Sequence, residues 1–253
     1  MKRLLRLLRT ARNRVLGLFS GRAGGLQFET DFWDDYFRSQ GGKWPEDYRR
    51  RLDPSSPLES MHRPFIDRLP NQTVQILDVG AGPLTILGKV HPSKTVQITA
   101  VDPLAARYDA LLKKYAVTPP IRTRLGSGEA LVSQFGENTF DFVYAQNCID
   151  HAENPVEAMR QMVRVARPDC DAVLYHAPNE AETQAYSGLH QWNFTLEHDR
   201  FIVTGRHGKT DVAEALKDIG VCTARLHEGW ILTIIHKYPS ASLGSSQAKS
   251  SAI

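Results

Sequence analysis

The stretch Ile76-Leu77-Asp78-Val79-Gly80-Ala81-Gly82-Pro83, followed by Ala100-Val101-Asp102-Pro103, decides the fold. The apolar residues that open each segment predict two buried β-strands, and the glycines of the first segment predict a tight turn into a helix. Glycine has no Cβ, so its backbone bends sharply and approaches a ligand closely. Asp102, at the tip of the second strand, is expected to accept both hydroxyls of a ribose. The pattern therefore predicts a nucleoside-containing cofactor.

The residue three positions after the second glycine distinguishes a dinucleotide from a cofactor without phosphate. Dinucleotide-binding turns carry a third glycine three residues after the second, where a pyrophosphate meets the helix N-terminus. Here that position is Thr85, and Asp78 stands just before the turn. Fewer free backbone amides and a nearby carboxylate suit a cationic ligand without phosphate. A nicotinamide oxidoreductase is therefore disfavoured.

These residues resemble the first motif of class I S-adenosylmethionine-dependent methyltransferases, with a core similar to that of the ubiquinone-biosynthesis enzymes. The resemblance runs from about residue 74 to residue 238. It implies an α/β fold, namely a Rossmann-like seven-stranded sheet with helices on both faces and the last strand antiparallel. It also implies S-adenosyl-L-methionine as the cofactor, bound by Asp78, Gly80, Ala81, Gly82, Asp102 and Pro103.

Two later segments resemble further cofactor-binding motifs of the same family. Ser127, Gly128 and Glu129 follow a strand-like segment and by resemblance contact the adenine edge, with serine where the family usually has aspartate. Gln146 and Asn147 follow an apolar segment, and by resemblance they face the methionine part of the cofactor.

Apolar patterning predicts the remaining elements of the sheet. Residues 139–145 indicate a buried fourth strand, and residues 155–167 have helical spacing that ends at Pro168. Residues 172–176 then indicate the fifth strand. Three last segments are expected to close the sheet: a strand at 200–204, a helix at 210–219 and a strand at 230–236.

A polar, aromatic-rich segment follows the predicted fifth strand, at the edge where open α/β sheets bind ligands. Burying such side chains without a purpose is costly. We therefore predict the acceptor site there, where aromatic rings suit a sugar face and polar groups suit hydroxyls. Its residues are Asn179, Glu180, Tyr186, His190, Gln191 and Trp192. The segment resembles methyltransferases encoded with bacterial surface-glycan machinery.

A hydroxyl acceptor must lose its proton, and an imidazole with a reference pKa of about 6.5 suits that task. Two histidines are candidates: His151, beside the methionine-binding loop by resemblance, and His190, in the acceptor segment. Asp150 is expected to orient either imidazole. A divalent metal held by Asp150, Glu180 and a histidine is an alternative, but the sequence has no ligand motif and we predict no metal.

Composition limits the other possibilities. The chain has 253 residues, of which 42% are hydrophobic, so it is long enough for one α/β core. Its three cysteines are widely separated, without zinc or disulfide spacing, which predicts a reducing, cytoplasmic compartment. The net charge is only +3. Beyond the N-terminal segment no basic strip is interleaved with aromatics, so nucleic acid is not an expected partner.

The ends of the chain differ in composition from the core. Residues 1–20 are rich in arginine and leucine on separate faces, which predicts a basic amphipathic helix on an anionic membrane. An organelle transit peptide and a helix packed on a partner are the alternatives. We expect a hinge at 21–25, a helical cap at 26–70, the methyltransferase domain at 71–239 and a disordered tail at 240–253.

The sequence thus predicts a methyltransferase, with its methyl donor S-adenosyl-L-methionine, that methylates a sugar hydroxyl of a glycan or glycolipid-like acceptor. Two alternatives stay open. One is a methyltransferase acting on a non-carbohydrate small molecule at oxygen, nitrogen or carbon. The other is a non-catalytic module that keeps the cofactor pocket.

Overall fold

The computed structural model describes residues 21–206 and 208–240. The elements follow one another in this order: α1 (Gly21–Arg38), α2 (Pro45–Leu52), α3 (Arg63–Asp67), β1 (Thr73–Val79), β2 (Thr95–Asp102), α4 (Ala105–Lys114), β3 (Arg124–Leu125), α5 (Leu131–Phe135), β4 (Phe140–Gln146), α6 (Pro155–Val165), β5 (Ala166–His176), α7 (Glu180–Thr183), β6 (Asn193–Glu197), β7 (Arg200–Gly205), β8 (Gly208–Asp211), α8 (Val212–Leu216), β9 (Gly220–His227) and β10 (Trp230–Lys237).

A seven-stranded sheet forms the centre, with the strand order β3-β2-β1-β4-β5-β10-β9. Strands β1 to β5 pair in parallel, whereas β10 runs antiparallel to both β5 and β9. The predicted fold class is confirmed, including the antiparallel last strand. Because parallel strands end at one edge, the glycine turn and the residues after β4 and β5 all lie at this carboxyl edge.

Both faces of the sheet are covered, which explains why β1 and β4 are apolar at successive positions. Leu77 and Val143 lie in one buried cluster with Met159 of α6. Ile76 lies in another cluster, with Ile66 of α3. The alternation follows from the two-residue period of a strand.

The fifth strand is longer than the sequence indicates. Helix α6 ends at Val165, and β5 begins at once with Ala166, so Pro168 lies inside a strand rather than after a helix. The pairing of β4 with β5 shifts register between Phe140 and Phe142. Such an irregularity accommodates a residue that has no N–H to donate.

The closing part of the sheet differs from the prediction. Residues 200–204 belong to a separate antiparallel sheet, β6-β7-β8, and β9 pairs with β10 instead. The predicted helix over 210–219 is reduced to α8, because β8 extends to Asp211. The Asp211 carboxylate accepts the backbone N–H groups of Ala213 and Glu214, and this cap starts the helix there.

The predicted basic helix at 1–20 lies outside the described residues, and so does the predicted tail at 240–253 except for its first residue. Residues 21–25, expected to be a hinge, form the first part of α1. A Cβ at Gly25 would lie 2.8 Å from backbone atoms of Gly188 and Leu189, so glycine there permits close packing against the loop after β5. Among the described residues, no helix has the length and apolarity needed to cross a membrane.

Candidate active site

The turn after β1 has a backbone that requires glycine. Gly80 and Gly82 have φ values of +67° and +63°. A Cβ at Gly80 would lie 2.5 Å from Sγ of Cys148, and a Cβ at Gly82 would lie 2.5 Å from Cζ2 of Trp33. The N–H groups of Gly80 and Ala81 both donate to the carbonyl of Val101, which joins the turn to β2. The result is a tight turn at the carboxyl edge.

Asp102 lies beside this turn as a buried carboxylate. Its Oδ2 accepts the N–H of Gly82 at 3.1 Å, and its Oδ1 accepts the N–H of Leu104 at 2.8 Å. Burial raises its pKa to about 6, although the two backbone bonds act in the opposite direction. Pro103, which follows, is exposed. Each carboxylate oxygen keeps acceptor capacity for a further donor, as the ribose prediction requires.

Asp78 is held by the residue that replaces the third glycine. The Thr85 hydroxyl donates to Asp78 Oδ2 at 2.5 Å and accepts the N–H of Leu87. Burial raises the pKa of Asp78 to about 7, and the bond from Thr85 acts in the opposite direction. Both side chains are buried. Thr85 therefore fixes the Asp78 carboxylate, at the position where a dinucleotide-binding turn has a glycine near the phosphate.

The residues predicted to contact adenine form a loop tied to α6. Ser127 donates its hydroxyl to the Glu129 carboxylate, and Glu129 Oε1 accepts the N–H of Glu153 at 2.8 Å. Gly128 fits closely, since a Cβ there would lie 3.2 Å from Cβ of Ala158. The Glu129 side chain thus holds the start of α6. The backbone of this loop is then the part that can contact the adenine.

Gln146 and Asn147 connect the ends of β4 and β5. Gln146 Oε1 accepts the Tyr144 hydroxyl at 2.6 Å, and Asn147 Oδ1 accepts the N–H of Ala177 at 3.1 Å. Asn147 has a φ of +48°, so the chain turns sharply as it leaves β4. This turn directs the next residues back across the carboxyl edge.

Those next residues complete a polar cluster that we call the Asp150 cluster, consisting of Asp150, His151 and His190. His190 Nδ1 lies 2.7 Å from Asp150 Oδ2 and 3.2 Å from His151 Nε2. His151 Nε2 lies 3.6 Å from the same Asp150 oxygen. The sequence predicted these three residues individually, and the fold brings them together. Glu180, the third ligand of the alternative metal prediction, is not a member of this cluster of possible metal ligands.

The electrostatics of the cluster keep its carboxylate ionised. Burial alone would raise the pKa of Asp150, but the neighbouring imidazoles outweigh it and lower the pKa to about 2. Burial alone would lower the pKa of His190. Its hydrogen bond and charge interaction with Asp150 outweigh burial, so the pKa of His190 is raised. The pair is therefore a buried carboxylate next to an imidazole that readily takes a proton.

Sequence reasoning missed the support supplied by His176. Its Nε2 accepts the backbone N–H groups of Cys148 and Ile149, at 3.2 Å and 3.1 Å. Burial lowers the pKa of His176 to about 4, so the ring is neutral and can accept both bonds. The turn that carries Asp150 and His151 is thereby fixed to the end of β5. The position of His176 at a strand end is the signal that was available.

The loop after β5 places only part of the predicted acceptor site at the cluster. His190 joins it, whereas the half-buried Trp192 has structural contacts of its own. Trp192 Nε1 donates to the carbonyl of Ala152 at 3.0 Å, and its ring packs on Gly205, where a Cβ has no room. The sequence could not show this, because Trp192 precedes β6 whereas its glycine partner is the last residue of β7.

The other predicted acceptor residues have local partners. Asn179 has a φ of +54° and precedes α7, and Glu180 Oε1 accepts the Gln184 amide at 3.2 Å. Tyr186 is exposed, and its hydroxyl accepts the Asn193 amide at 3.0 Å. Gln191 Nε2 donates to the carbonyls of Tyr186 and Gly188. These contacts shape the loop and leave the Tyr186 ring at the surface.

Helix α1 adds two residues that the sequence did not assign to the site. Trp33 packs on Gly82, and its Nε1 donates to Glu29 Oε1 at 2.9 Å. The charge of Glu29 acts on both Asp102 and His190. Trp33 lies in one buried cluster with Tyr108 and Leu104, which joins α1 to the sheet domain. Its four-residue spacing from Glu29 on one helix face is the signal for the pair.

The fold and these contacts define a class. A sheet of this order, a glycine turn after β1 and a buried acid at the end of β2 together form an α/β domain whose turn suits a nucleoside-containing cofactor. The positive-φ glycines and the Asp102 carboxylate, which has no basic partner among the described residues, fit S-adenosyl-L-methionine.

Comparison with known proteins agrees with this class. Residues 77–174 match the family model described as a methyltransferase domain. The chain is 30% identical to an uncharacterized methyltransferase of Schizosaccharomyces pombe over 99 residues. The aligned segment covers 39% of this chain and 37% of that protein. The chain thus matches little more than a third of the length of that relative. The family match covers less than half of this chain, and S-adenosyl-L-methionine is the cofactor that it indicates.

Solved structures with a similar course of the chain have low sequence identity. The methyltransferase (CMeT) domain of the citrinin polyketide synthase is 20% identical, with a TM-score of 0.49, over 69% of this chain and 49% of that one. The 1,6-didemethyltoxoflavin N1-methyltransferase of Burkholderia thailandensis, solved with S-adenosylhomocysteine, is 14% identical, with a TM-score of 0.44, over 83% of this chain and 87% of that one.

Proposed function

We propose that the protein is an S-adenosylmethionine-dependent methyltransferase that methylates a hydroxyl oxygen, and that the acceptor is a sugar of a glycan or glycolipid-like molecule. The observation that carries the proposal is the Asp150 cluster at the carboxyl edge, on the same edge as the glycine turn. A methyl donor and a proton acceptor are the two elements that O-methylation requires.

The bound donor supplies a methyl group on a sulfonium. When bound, the donor would supply that methyl group to the acceptor oxygen and keep its sulfur as a thioether. The hydroxyl proton goes to an imidazole of the Asp150 cluster. His190 Nδ1 is bonded to Asp150, so Nε2 is the atom expected to take the proton. Asp150 fixes the orientation of the ring and stabilises its cationic form.

The cluster favours oxygen over nitrogen or carbon as the methylated atom. A neutral amine already has a lone pair, whereas a hydroxyl becomes a strong nucleophile only as its proton leaves. A sugar is favoured by the loop after β5, where the exposed Tyr186 ring and the polar side chains of Glu180 and Gln191 suit an acceptor with many hydroxyls. The other acceptor classes become outcomes of the test.

The test uses the full chain, a donor with a labelled methyl group and fractionated extract of the source organism. We expect label in a glycan or glycolipid fraction, on an ether oxygen identified by mass spectrometry of the released sugars. Asp150→Asn serves as the matched control and should give no label while it still binds the donor. Label on nitrogen or carbon would contradict the oxygen assignment, and donor binding without any turnover would indicate a non-catalytic module.

Residues 1–20 extend the proposal to the place where the acceptor is made. Their basic and apolar side chains are expected to hold the enzyme on the inner face of an anionic membrane, at about 1 kcal/mol for each basic residue near the surface. Deletion of residues 1–20 should abolish co-sedimentation with anionic vesicles and leave the circular dichroism spectrum of the domain intact. Equal sedimentation of the two forms would refute the membrane partner.

A further inference from the structure

The Asp150 cluster has an unusual arrangement of acceptor atoms. Three atoms that can each bind a metal ion converge, namely Asp150 Oδ2, His151 Nε2 and His190 Nδ1, with mutual distances of 2.7, 3.2 and 3.6 Å. The other carboxylate oxygen, Asp150 Oδ1, is buried and has no hydrogen-bond partner in the described part of the chain. Buried oxygens without partners are rare and require an explanation.

Hydrogen bonds alone do not satisfy this arrangement. His190 Nδ1 carries either one hydrogen or one lone pair. If it carries the hydrogen, that single hydrogen faces both Asp150 Oδ2 and the lone pair of His151 Nε2. If it carries the lone pair, the lone pair faces a carboxylate oxygen at 2.7 Å, which is repulsive. If the hydrogen is removed, three electron-rich atoms surround one point, and a cation at that point would be attracted by all three.

The distances are those of a coordination shell. Zinc binds imidazole nitrogen at about 2.0–2.1 Å and carboxylate oxygen at about 2.0–2.2 Å, so neighbouring ligand atoms lie roughly 3.0–3.4 Å apart. The three observed separations bracket this range. Two imidazoles and one carboxylate are also the ligand set of catalytic zinc sites that keep a fourth position open. The negative charges of Glu180 and Glu29, which act on His190, further favour a cation.

We propose that Asp150, His151 and His190 form a binding site for one divalent transition-metal ion, with Zn²⁺ as the expected occupant. The proposal rests on the methyltransferase function above, because the open position would receive the acceptor hydroxyl and favour loss of its proton to solvent. In the metal-bound protein the ion would replace the shared hydrogen, so the metal site is an alternative to the proton transfer to His190 proposed above, and both assignments use the same three residues. The site would then select acceptors by their oxygen.

The test is calorimetric titration of Zn²⁺ into the full chain after removal of bound metal with a chelator. We expect one ion per chain, and an affinity reduced at least about 100-fold in His190→Ala and in Asp150→Asn, since loss of a direct ligand exceeds the loss of an outer contact. His236→Ala is the matched control and should bind Zn²⁺ unchanged, because His236 also lies between carboxylates but has no second imidazole there. Co²⁺ in place of Zn²⁺ should add visible absorption bands in the parent chain.

Absence of Zn²⁺ uptake by the parent chain, or equal uptake by folded His190→Ala, would overturn the site. Circular dichroism establishes that each variant is folded, and His151→Ala provides a second ligand variant. Titration of S-adenosylmethionine into the metal-free chain separates this proposal from the function on which it rests. Donor binding without zinc binding removes only the metal site, whereas zinc binding without donor binding removes the methyltransferase proposal.

Discussion

The two edges of the central sheet each carry histidine and aspartate in contact, but in different surroundings. At the carboxyl edge, Asp150 contacts only histidines among its ion-pair partners in the described residues. At the opposite edge, His236 Nδ1 and Nε2 lie 2.8 Å and 3.1 Å from Asp171 and Asp169, and Arg68 also pairs with Asp171. The side chains of Asp169 and His236 are 76% and 35% exposed, against 2% and 13% for Asp150 and His190.

This difference distinguishes a structural ion-pair cluster from a reactive one. At the opposite edge Asp171 is as buried as Asp150, but Arg68 neutralises its charge, and solvent screens the charges of Asp169 and His236. The Asp150 cluster is buried, has no arginine or lysine partner in the described chain, and keeps one oxygen unsatisfied. Unpaired polar capacity of this kind is expensive to maintain and is typical of sites that bind or react.

The largest expected effect comes from removing one imidazole at each edge. His190→Ala should lower methyl transfer by about 100- to 10,000-fold, the range for loss of a general base, while donor binding persists. His236→Ala should change the rate by less than about twofold, because it lies away from the site. Incorporation of labelled methyl groups measures both rates. Similar losses in the two variants would remove the distinction between the clusters.

A second pair compares buried carboxylates. Asp102→Asn removes a charge that we expect to bind the ribose hydroxyls, worth about 1.5–3 kcal/mol, so donor affinity should fall at least about tenfold. Asp141 at the opposite edge is bonded to Arg167, Asn71 and the N–H of Gln75. Asp141→Asn should lower the free energy of unfolding and leave donor affinity unchanged. Calorimetry with S-adenosylmethionine and urea unfolding provide the two readings; unchanged affinity in Asp102→Asn counts against the cofactor assignment.

A third pair tests the glycine turn. Gly82 and Gly229 both have positive φ, +63° and +81°, but a Cβ at Gly229 would meet nothing within 4 Å. Alanine in the left-handed region costs a backbone strain of about 1–2 kcal/mol. Gly82→Ala should be less stable by about a further 1–3 kcal/mol because of its overlap with Trp33. Urea unfolding measures the difference, and equal values would mean that α1 moves away from the turn at little cost.

The smallest expected effect is that of pH on donor binding. Burial raises the pKa of Asp102 to about 6, and the charges of Glu29 and His151 act on the same carboxylate. Because the ionised form accepts the ribose hydroxyls, affinity should be full from about pH 7 upward, fall as the pH drops through 6, and be about tenfold lower at pH 5. Asp102→Asn should lack this dependence, which also separates it from titration of Asp78, whose pKa is about 7.

Much of the cofactor half follows from short stretches of sequence. The apolar strand, the two glycines and Asp102 predict a nucleoside site because a strand, its turn and the next strand end form one local unit. Thr85 excluded a dinucleotide turn, and the structure supplies the reason in its bond to Asp78. The sequence did not indicate that Trp33 packs on Gly82, because α1 precedes the sheet and its docking depends on distant contacts.

The acceptor half depends on pairings that sequence reasoning could not specify. Residues 200–204 have the pattern of a sheet strand, and apolar alternation does not state which sheet receives it. Trp192 is of a residue type that often binds ligands, yet its ring packs beside Gly205. Asp150 and His190 lie forty residues apart, so their contact exists only after β4, β5 and the following loop are in place.

The amino-acid sequence by itself determined the fold class, the glycine turn and the acid beside it, since each follows from strand periodicity and from the conformational freedom of glycine over a few adjacent residues. Tertiary structure alone decided which of the histidines meet a buried carboxylate, and which aromatic residues pack in the interior. The physical reason is distance along the chain. Contacts between residues far apart in sequence form only once the whole sheet is assembled, and their geometry then determines charge, burial and reactivity.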